Sequence, residues 1–243
     1  MRASGFPSVP TAAKLFGIGA TLGPVVDSLH NQCLLEYDFA PIYIQLPFGI
    51  SDDGYLFASS WVVPPLLGVA YVALGGLLPR AIEILLGRFK ESIVTTKSMS
   101  LGSRAILAVT STATIIKISE LLETNHPHSP ESNYIIMLVC ALSQWALLDG
   151  MLGSIVTAVI VSIGGPLSEL PFVANGFWHY LDGDYLPLTN VDALQLEQLL
   201  GGEYQSLALS SITGPCYFAV TMDAIALGRW LDDIDTPEDS LTN

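Results

Sequence analysis

Residues 156–165 read VTAVIVSIGG and residues 106–116 read ILAVTSTATII, and neither stretch contains a charged residue. A helix at the surface of a soluble bundle carries charged and polar residues along its outer face. Helices built from these two stretches have no such face, so each side must contact lipid or another helix. The two stretches therefore predict an all-α fold of the polytopic membrane class.

The composition of the whole chain supports the membrane class. Charged residues make up only 13% of the 243 residues, whereas a globular chain carries about 25%. Hydrophobic residues make up 51% of the chain, and the mean hydropathy is +0.51. The formal net charge is −14, from 9 basic and 23 acidic residues. This acidic balance argues against a nucleic-acid partner, because such binding depends on basic side chains that neutralise phosphates.

A helix needs about 20 residues to cross a hydrocarbon core of about 30 Å. Six apolar runs in the chain have about this length. They predict a single transmembrane domain over residues 1–243, with spans at about 14–29, 58–78, 101–122, 134–148, 151–172 and 211–230. Only Asp149-Gly150 separates the fourth run from the fifth. A tight helical hairpin is therefore expected at that point.

The positions of the basic residues predict how these spans are oriented. Eight of the nine Lys and Arg residues lie before the first span, between the second and third, at the start of the third or at the end of the sixth. The loops on the opposite side, 31–57, 123–133 and 173–210, contain no Lys or Arg. Basic residues gather on the cytosolic side of membrane proteins. Both termini are therefore expected on the cytosolic or stromal face.

Several short motifs resemble the Insig (insulin-induced gene) family. Residues 59–68 read SSWVVPPLLG, which is similar to the Ser-x-Trp-x-x-Pro-Pro type of motif that opens the family's second helix. Gly214-Pro215-Cys216 and Gly228-Arg229 resemble the start and the end of its sixth helix. Trp145 leads to Asp149, much as the family's Trp-rich fourth helix ends in an Asp. The likeness covers about 58–80 and 133–230.

The resemblance implies a function and a location. Animal Insig proteins lie in the endoplasmic reticulum, bind oxysterols and retain the sterol-sensing membrane domains of Scap and HMG-CoA reductase, and bacterial relatives hold a lipid between their helices. The resemblance therefore implies a regulator that binds a lipid, sterol or isoprenoid and docks other polytopic membrane proteins. The family's cysteine pair is replaced by Leu66 and Leu67, and Asp27 and His30 in the first span resemble the plant and algal branch. For that branch a plastid membrane is the alternative location.

Four ionisable residues inside the predicted spans are candidates for interior polar sites, because a charge in the membrane needs a partner or a cavity. They are Asp27, Lys117, Glu120 and Asp223. Asp27 and Lys117 are each 13 residues from a basic residue at the cytosolic side, so both are expected at one depth and as direct partners. Such a pair would either fix the register of two helices or form the polar floor of a ligand cavity. Glu120 is the rival partner of Lys117.

Further candidates for the lipid or partner site come from helix-breaking residues and from Asp149. Gly164-Gly165-Pro166 predicts an interruption of the fifth span, and a broken helix at membrane depth commonly borders a cavity. Pro64, Pro65 and Pro215 are expected in the first turns of the second and sixth spans, where proline costs least. Asp149 is expected either to cap the fifth helix or to bind a partner protein.

Two other classes of protein fit the sequence. One is a small transporter built around Asp27, Lys117 and Asp223, and the other is a structural subunit of a larger membrane complex, with a plastid as its candidate location. A homo-oligomer is a separate candidate for the assembly of the chain. The spans contain no Ser-His, Cys-His or metal-ligand constellation, so no catalytic residue, metal site or cofactor is predicted. The protein is therefore not expected to be an enzyme.

Overall fold

The structure is a computed structural model, and it describes residues 6–45, 55–85, 93, 99–124, 129–189, 197–199, 204 and 206–235. Long helices dominate this part of the chain. They are α1 (Val9–Asp27), α3 (Val63–Val72) continuing through a π-helical turn (Ala73–Leu77) into α4 (Leu78–Leu85), α5 (Leu101–Thr124), α6 (Pro130–Leu148), α7 (Leu152–Ala174) and α8 (Thr213–Asp235). A four-residue helix, α2 (Asn31–Leu34), follows α1.

Five of these helical segments are long and apolar enough to cross a membrane: α1, the continuous segment Val63–Leu85, α5, α6 and α7. The chain is therefore a polytopic helical membrane protein, as the charge-free stretches predict.

Two helices begin earlier than expected because serine caps precede them. The Ser8 hydroxyl accepts a hydrogen bond from the Thr11 N–H at 3.2 Å, and the Ser129 hydroxyl accepts one from the Ser132 N–H at 3.4 Å.

Helix α8 lies at the centre of the bundle, where it packs against α1, α5, α6, α7 and the π-helical turn. More than half of its 23 residues are buried, among them Phe218, Met222 and Ile225. A helix enclosed by other helices does not need an apolar surface for lipid. This position explains why α8 can carry Asp223 and Arg229, and why it is the least apolar of the six predicted spans.

Two glycines allow α8 to cross the π-helical turn at backbone contact. A Cβ added at Gly228 would collide with the backbone carbonyl of Gly75, and a Cβ added at Gly75 would collide with the carbonyl of Ala224. The π-helical turn inserts an extra residue at this crossing, and such turns are rare but occur frequently at functional sites. The small residues that follow Pro65 in the sequence therefore allow two helices to cross at close distance.

The two ends of the described chain meet at one end of the bundle. Lys14 near the start of α1 forms an ion pair with Asp235 at the end of α8, and the Thr11 hydroxyl donates to the same carboxylate at 2.9 Å. The hydrogen bonds from Lys14 and Thr11 hold the pKa of Asp235 below its usual range. Arg80 of α4 pairs with Asp232 beside them. Basic residues thus gather at this end, which we call the basic end; its cytosolic location stays a prediction.

Short strands at the opposite end of the bundle were not expected from the sequence. Strand β1 (Leu35–Tyr37) pairs with β4 (Trp178–Tyr180), and β2 (Pro41–Gln45) pairs with β3 (Tyr55–Ser60), both antiparallel. The strands satisfy the backbone N–H and C=O groups where the chain leaves α1, enters α3 and leaves α7. The connection of the α6–α7 hairpin has only three residues, 149–151, so it is tight, as expected, and Gly150 has φ +62° there.

The predicted interruption of the fifth span is wrong. Helix α7 runs from Leu152 to Ala174 without a break, and Pro166 and Pro171 lie inside it. Pro166 removes the N–H that would bond to the Ser162 carbonyl. Gly214 at the start of α8 lies against that carbonyl, since a Cβ there would be 3.0 Å from the Ser162 oxygen. Packing against α8 therefore supports α7 through the region in which the sequence alone predicts a break.

Candidate functional site

Asp149 lies at the basic end, between α6 and α7, and its carboxylate is buried with 4% of the residue exposed. One oxygen accepts a hydrogen bond from the Ser154 hydroxyl, and the other lies 2.7 Å from the Arg229 Nη1. Arg229 also lies 3.7 Å from Glu83 of α4. Asp149 therefore links three helices, and it does not take the expected N-cap position of α7, which is occupied by Met151.

A crevice opens beside this carboxylate, between the start of α5, the end of α6 and the second half of α8. Its lining consists of apolar side chains and three charged ones, namely Leu101, Leu148, Met222, Ile225, Ala226, Arg104, Asp149 and Arg229. The space free for a solvent-sized molecule is about 10 Å³, room for about one water, so the crevice is nearly closed and its helices must move apart to admit a larger ligand. A cleft with apolar walls and a few charged groups is the usual form of a site for a small amphiphile. We therefore take this crevice as the candidate site.

The expected pairing of Asp27 with Lys117 is wrong. Lys117 forms an ion pair with Glu120, one turn further along α5, and half of its side chain is exposed. Asp27 accepts a hydrogen bond from the Tyr37 hydroxyl at 2.7 Å and lies 3.5 Å from the His30 Nε2. The equal depth of Asp27 and Lys117 does not decide which way each side chain points around its helix. The polar floor expected from this pair is therefore not formed.

Asp223 lies inside the bundle, as expected for a charge on a central helix. It is 1% exposed and accepts a hydrogen bond from the buried Tyr71 hydroxyl at 2.7 Å. Elsewhere in the bundle core, Gln144 of α6 donates to the Ser111 and Thr112 hydroxyls of α5. Asp27, Lys117 and Asp223 form hydrogen bonds or ion pairs with different residues, so none of the three residues of the transporter hypothesis is a direct partner of another.

Glu169 accepts hydrogen bonds from three aromatic side chains in a partly buried cluster that was not expected from the sequence. Its carboxylate accepts hydrogen bonds from the Tyr180 hydroxyl at 2.6 Å, the Tyr217 hydroxyl at 2.8 Å and the Trp178 indole at 3.3 Å. The cluster ties strand β4 to helices α7 and α8. Its signal was present in the sequence, because Glu169 is the only charged residue of the fifth apolar run.

The Gly164-Gly165-Pro166 motif serves packing beside this cluster. A Cβ at Gly165 would collide with the Tyr217 ring, so the missing side chain lets Tyr217 reach Glu169. Gly164 is exposed on the outer face of α7, and a Cβ there would meet nothing within 4 Å. The motif thus positions an aromatic ring rather than bordering the crevice.

The three expected prolines lie in the first turns of their helices: Pro64 and Pro65 in α3, and Pro215 in α8. None of them lines the crevice. Among the described residues, no group of three or more His, Cys, Asp or Glu side chains is arranged to hold a metal ion. Of the residues selected from the sequence, Asp149 alone therefore lies at the candidate site.

The arrangement of helices defines the class: a polytopic helical membrane protein whose central helix is enclosed by the others. No protein-family model matches the chain, and no curated protein matches it. Among solved structures the chain is similar to MvINS, an Insig homologue from Mycobacterium vanbaalenii, in two crystal structures, one of them a cross-linked trimer. In both, the sequence identity is 19%, the TM-score is 0.57, and the match covers 93% of this chain and 95% of MvINS. The chain therefore has an Insig-like fold.

Proposed function

We propose that the protein binds a lipid, sterol or isoprenoid between its helices and docks or retains other membrane proteins, as an Insig-like regulator of sterol or lipid homeostasis. The crevice beside Asp149 is the observation that carries this proposal. Its apolar walls suit an acyl or isoprenoid group, and its charged mouth suits a polar head. The proposed regulator is not an enzyme and needs no cofactor.

The position of the crevice supports a link between binding and docking. A ligand there would contact α5, α6 and α8 together, so it would favour one packing of these helices over another. A partner protein that contacts the same helices would then bind differently with and without the ligand. Asp149 fits the docking role in this scheme only if a group from the partner replaces Arg229, because Arg229 and Ser154 already contact its carboxylate.

The resemblance supplies the finer parts of the proposal. It favours the plant and algal branch, the endoplasmic reticulum with a plastid membrane as the alternative, and partners with sterol-sensing membrane domains. The trimeric form of the MvINS neighbour supports a homo-oligomer of this chain as well. Both termini would face the cytosol, since the basic end carries Lys14, Arg80, Arg104 and Arg229.

Native mass spectrometry of the protein with its co-extracted lipids tests the proposal. We expect about one lipid per chain to survive mild detergent extraction. Ala226→Phe should fill the crevice and reduce lipid retention at least fivefold, because Ala226 forms part of the lining. Ala13→Phe is the matched control, since Ala13 is exposed on α1. A lipid-free species from the unmodified protein, under conditions in which it stays folded, would contradict the proposal and favour a purely structural subunit.

A further inference from the structure

Arg104 differs from the other basic residues described at the same end of the bundle. Lys14 pairs with Asp235, Arg80 pairs with Asp232, and Arg229 pairs with Asp149. Arg104 lies in the first turn of α5, and its Nε is buried without a hydrogen-bond partner among the described residues. A buried donor without an acceptor is costly, so such a group favours any ligand that brings an acceptor to it.

The charge of the crevice favours an acceptor that is anionic. Two guanidinium groups, Arg104 and Arg229, and one carboxylate, Asp149, line it, which leaves one positive charge in excess. The Asp149 carboxylate is already engaged by Arg229 and Ser154. Glu83, outside the lining, lies 3.7 Å from Arg229 as well, so Arg104 is the guanidinium of the lining that has no acidic partner among the described residues.

The depth of the crevice matches the headgroup region of a bilayer. Trp230, next to Arg229, packs on the first turn of α5, where a Cβ at Gly102 would lie 3.3 Å from its indole nitrogen. Tryptophan is enriched at the boundary between hydrocarbon and headgroups. Arg104 and Leu101 belong to the same turn as Gly102, so we expect them at this boundary too. The apolar floor of Leu148, Met222 and Ile225 lies along α6 and α8, and none of these residues is more than 2% exposed, so a lipid reaches the floor only when the two helices move apart.

We propose that the crevice binds the headgroup of an anionic phospholipid, with the phosphate oxygens accepting hydrogen bonds from Arg104 and the glycerol and first acyl carbons lying on the apolar floor. Basic pockets between helices commonly bind such headgroups. This inference rests on the proposed function, and it names the chemical class of the lipid and the side chain that selects it.

Thermal unfolding in mixed micelles tests the proposal. Dioleoyl phosphatidylglycerol is titrated into the detergent-purified protein, and dioleoyl phosphatidylcholine, which has the same acyl chains, is titrated in parallel. We expect the anionic lipid to raise the Tm at concentrations at least tenfold lower than the zwitterionic lipid. Inorganic phosphate and glycerol phosphate are added separately, and neither is expected to raise the Tm, because neither contacts the apolar floor.

Substitutions inside and outside the crevice test whether Arg104 is responsible for the rise in Tm. Arg104→Gln should require about tenfold more phosphatidylglycerol for the same rise in Tm, because it removes the charge-assisted hydrogen bond to phosphate. Lys14→Gln makes the same change of charge at the same end of the bundle, outside the crevice, and should stay within twofold of the unmodified protein. If Arg104→Gln does not fold, Ala226→Leu keeps the charge and narrows the crevice, and it should weaken the response to phosphatidylglycerol by a similar factor.

Four results would overturn the inference. The first is an equal rise in Tm with the two lipids, and the second is an unchanged rise in Arg104→Gln or, where that variant does not fold, in Ala226→Leu. The third is a loss in Lys14→Gln equal to that in Arg104→Gln. The fourth is a rise in Tm with inorganic phosphate alone, which would make the site one for soluble phosphate. A stoichiometric neutral lipid in native mass spectrometry together with no preference for phosphatidylglycerol would refute the anionic headgroup and leave the proposed lipid binding intact. Absence of any bound lipid would refute both.

Discussion

Gly228→Ala is expected to lower the free energy of unfolding by about 3 kcal/mol, a large effect for one methyl group. The added Cβ would collide with the backbone carbonyl of Gly75, and a backbone atom cannot rotate away as a side chain can. Relief would require α8 to move away from the π-helical turn and from the bundle that surrounds it. Unfolding in mixed micelles with increasing sodium dodecyl sulfate, followed by circular dichroism, measures the loss.

The matched control for this prediction is Gly164→Ala. A Cβ at Gly164 meets nothing within 4 Å on the outer face of α7, so alanine should leave the stability unchanged or raise it by up to about 1 kcal/mol through helix propensity. Similar unfolding curves for Gly228→Ala and Gly164→Ala would show that α8 does not cross the π-helical turn at backbone contact.

Glu169→Leu is expected to lower the free energy of unfolding by about 3 kcal/mol, because it leaves three donors, two of them on buried residues, without an acceptor. The orphaned groups would be the hydroxyls of Tyr180 and Tyr217 and the indole N–H of Trp178. Glu169→Gln keeps one acceptor oxygen and should lose less. The same unfolding assay measures both, and near-ultraviolet circular dichroism should report a change around the aromatic residues.

Glu131→Gln is the control for the Glu169 variants, since Glu131 is exposed in the first turn of α6, and it should change the stability little. The order expected is Glu131→Gln least, Glu169→Gln intermediate and Glu169→Leu most affected. A Glu169→Leu variant as stable as the unmodified protein would mean that the carboxylate does not hold strand β4 on the bundle.

The class of the fold was predictable because it depends on properties local to each segment. Charge-free runs such as 156–165 cannot lie at a water-facing surface, so they identify a membrane protein without any knowledge of packing. The positions of α5 and α7 follow directly from these runs. The start of α1 was misjudged because Ser8, a polar cap, extends the helix beyond the apolar run.

The site was only partly predictable, because it depends on contacts between distant segments. Asp149 is recognisable from the sequence, but its partner Arg229 lies 80 positions away in the chain. The depth of a residue in the membrane can be estimated from its position along a helix, but the direction in which its side chain points around the helix axis cannot. The same limitation led to the wrong pairing of Asp27 with Lys117. The residues of α7 by themselves predict a break at Pro166, whereas in the fold Gly214 of α8 packs against that turn and supports it. Arg104 could not be selected from the sequence, because only the fold places its buried Nε beside the crevice.

Photoaffinity mapping tests the central claim, a lipid bound between the helices, most directly. A phospholipid that carries a diazirine near the head of one acyl chain is exchanged into the purified protein, irradiated, and located by peptide mass spectrometry. We expect cross-links in the crevice at Leu148, Met222 and Ile225, and we expect excess unlabelled lipid to suppress them. Cross-links confined to outward-facing residues such as Ile163, with no competition by unlabelled lipid, would contradict the account.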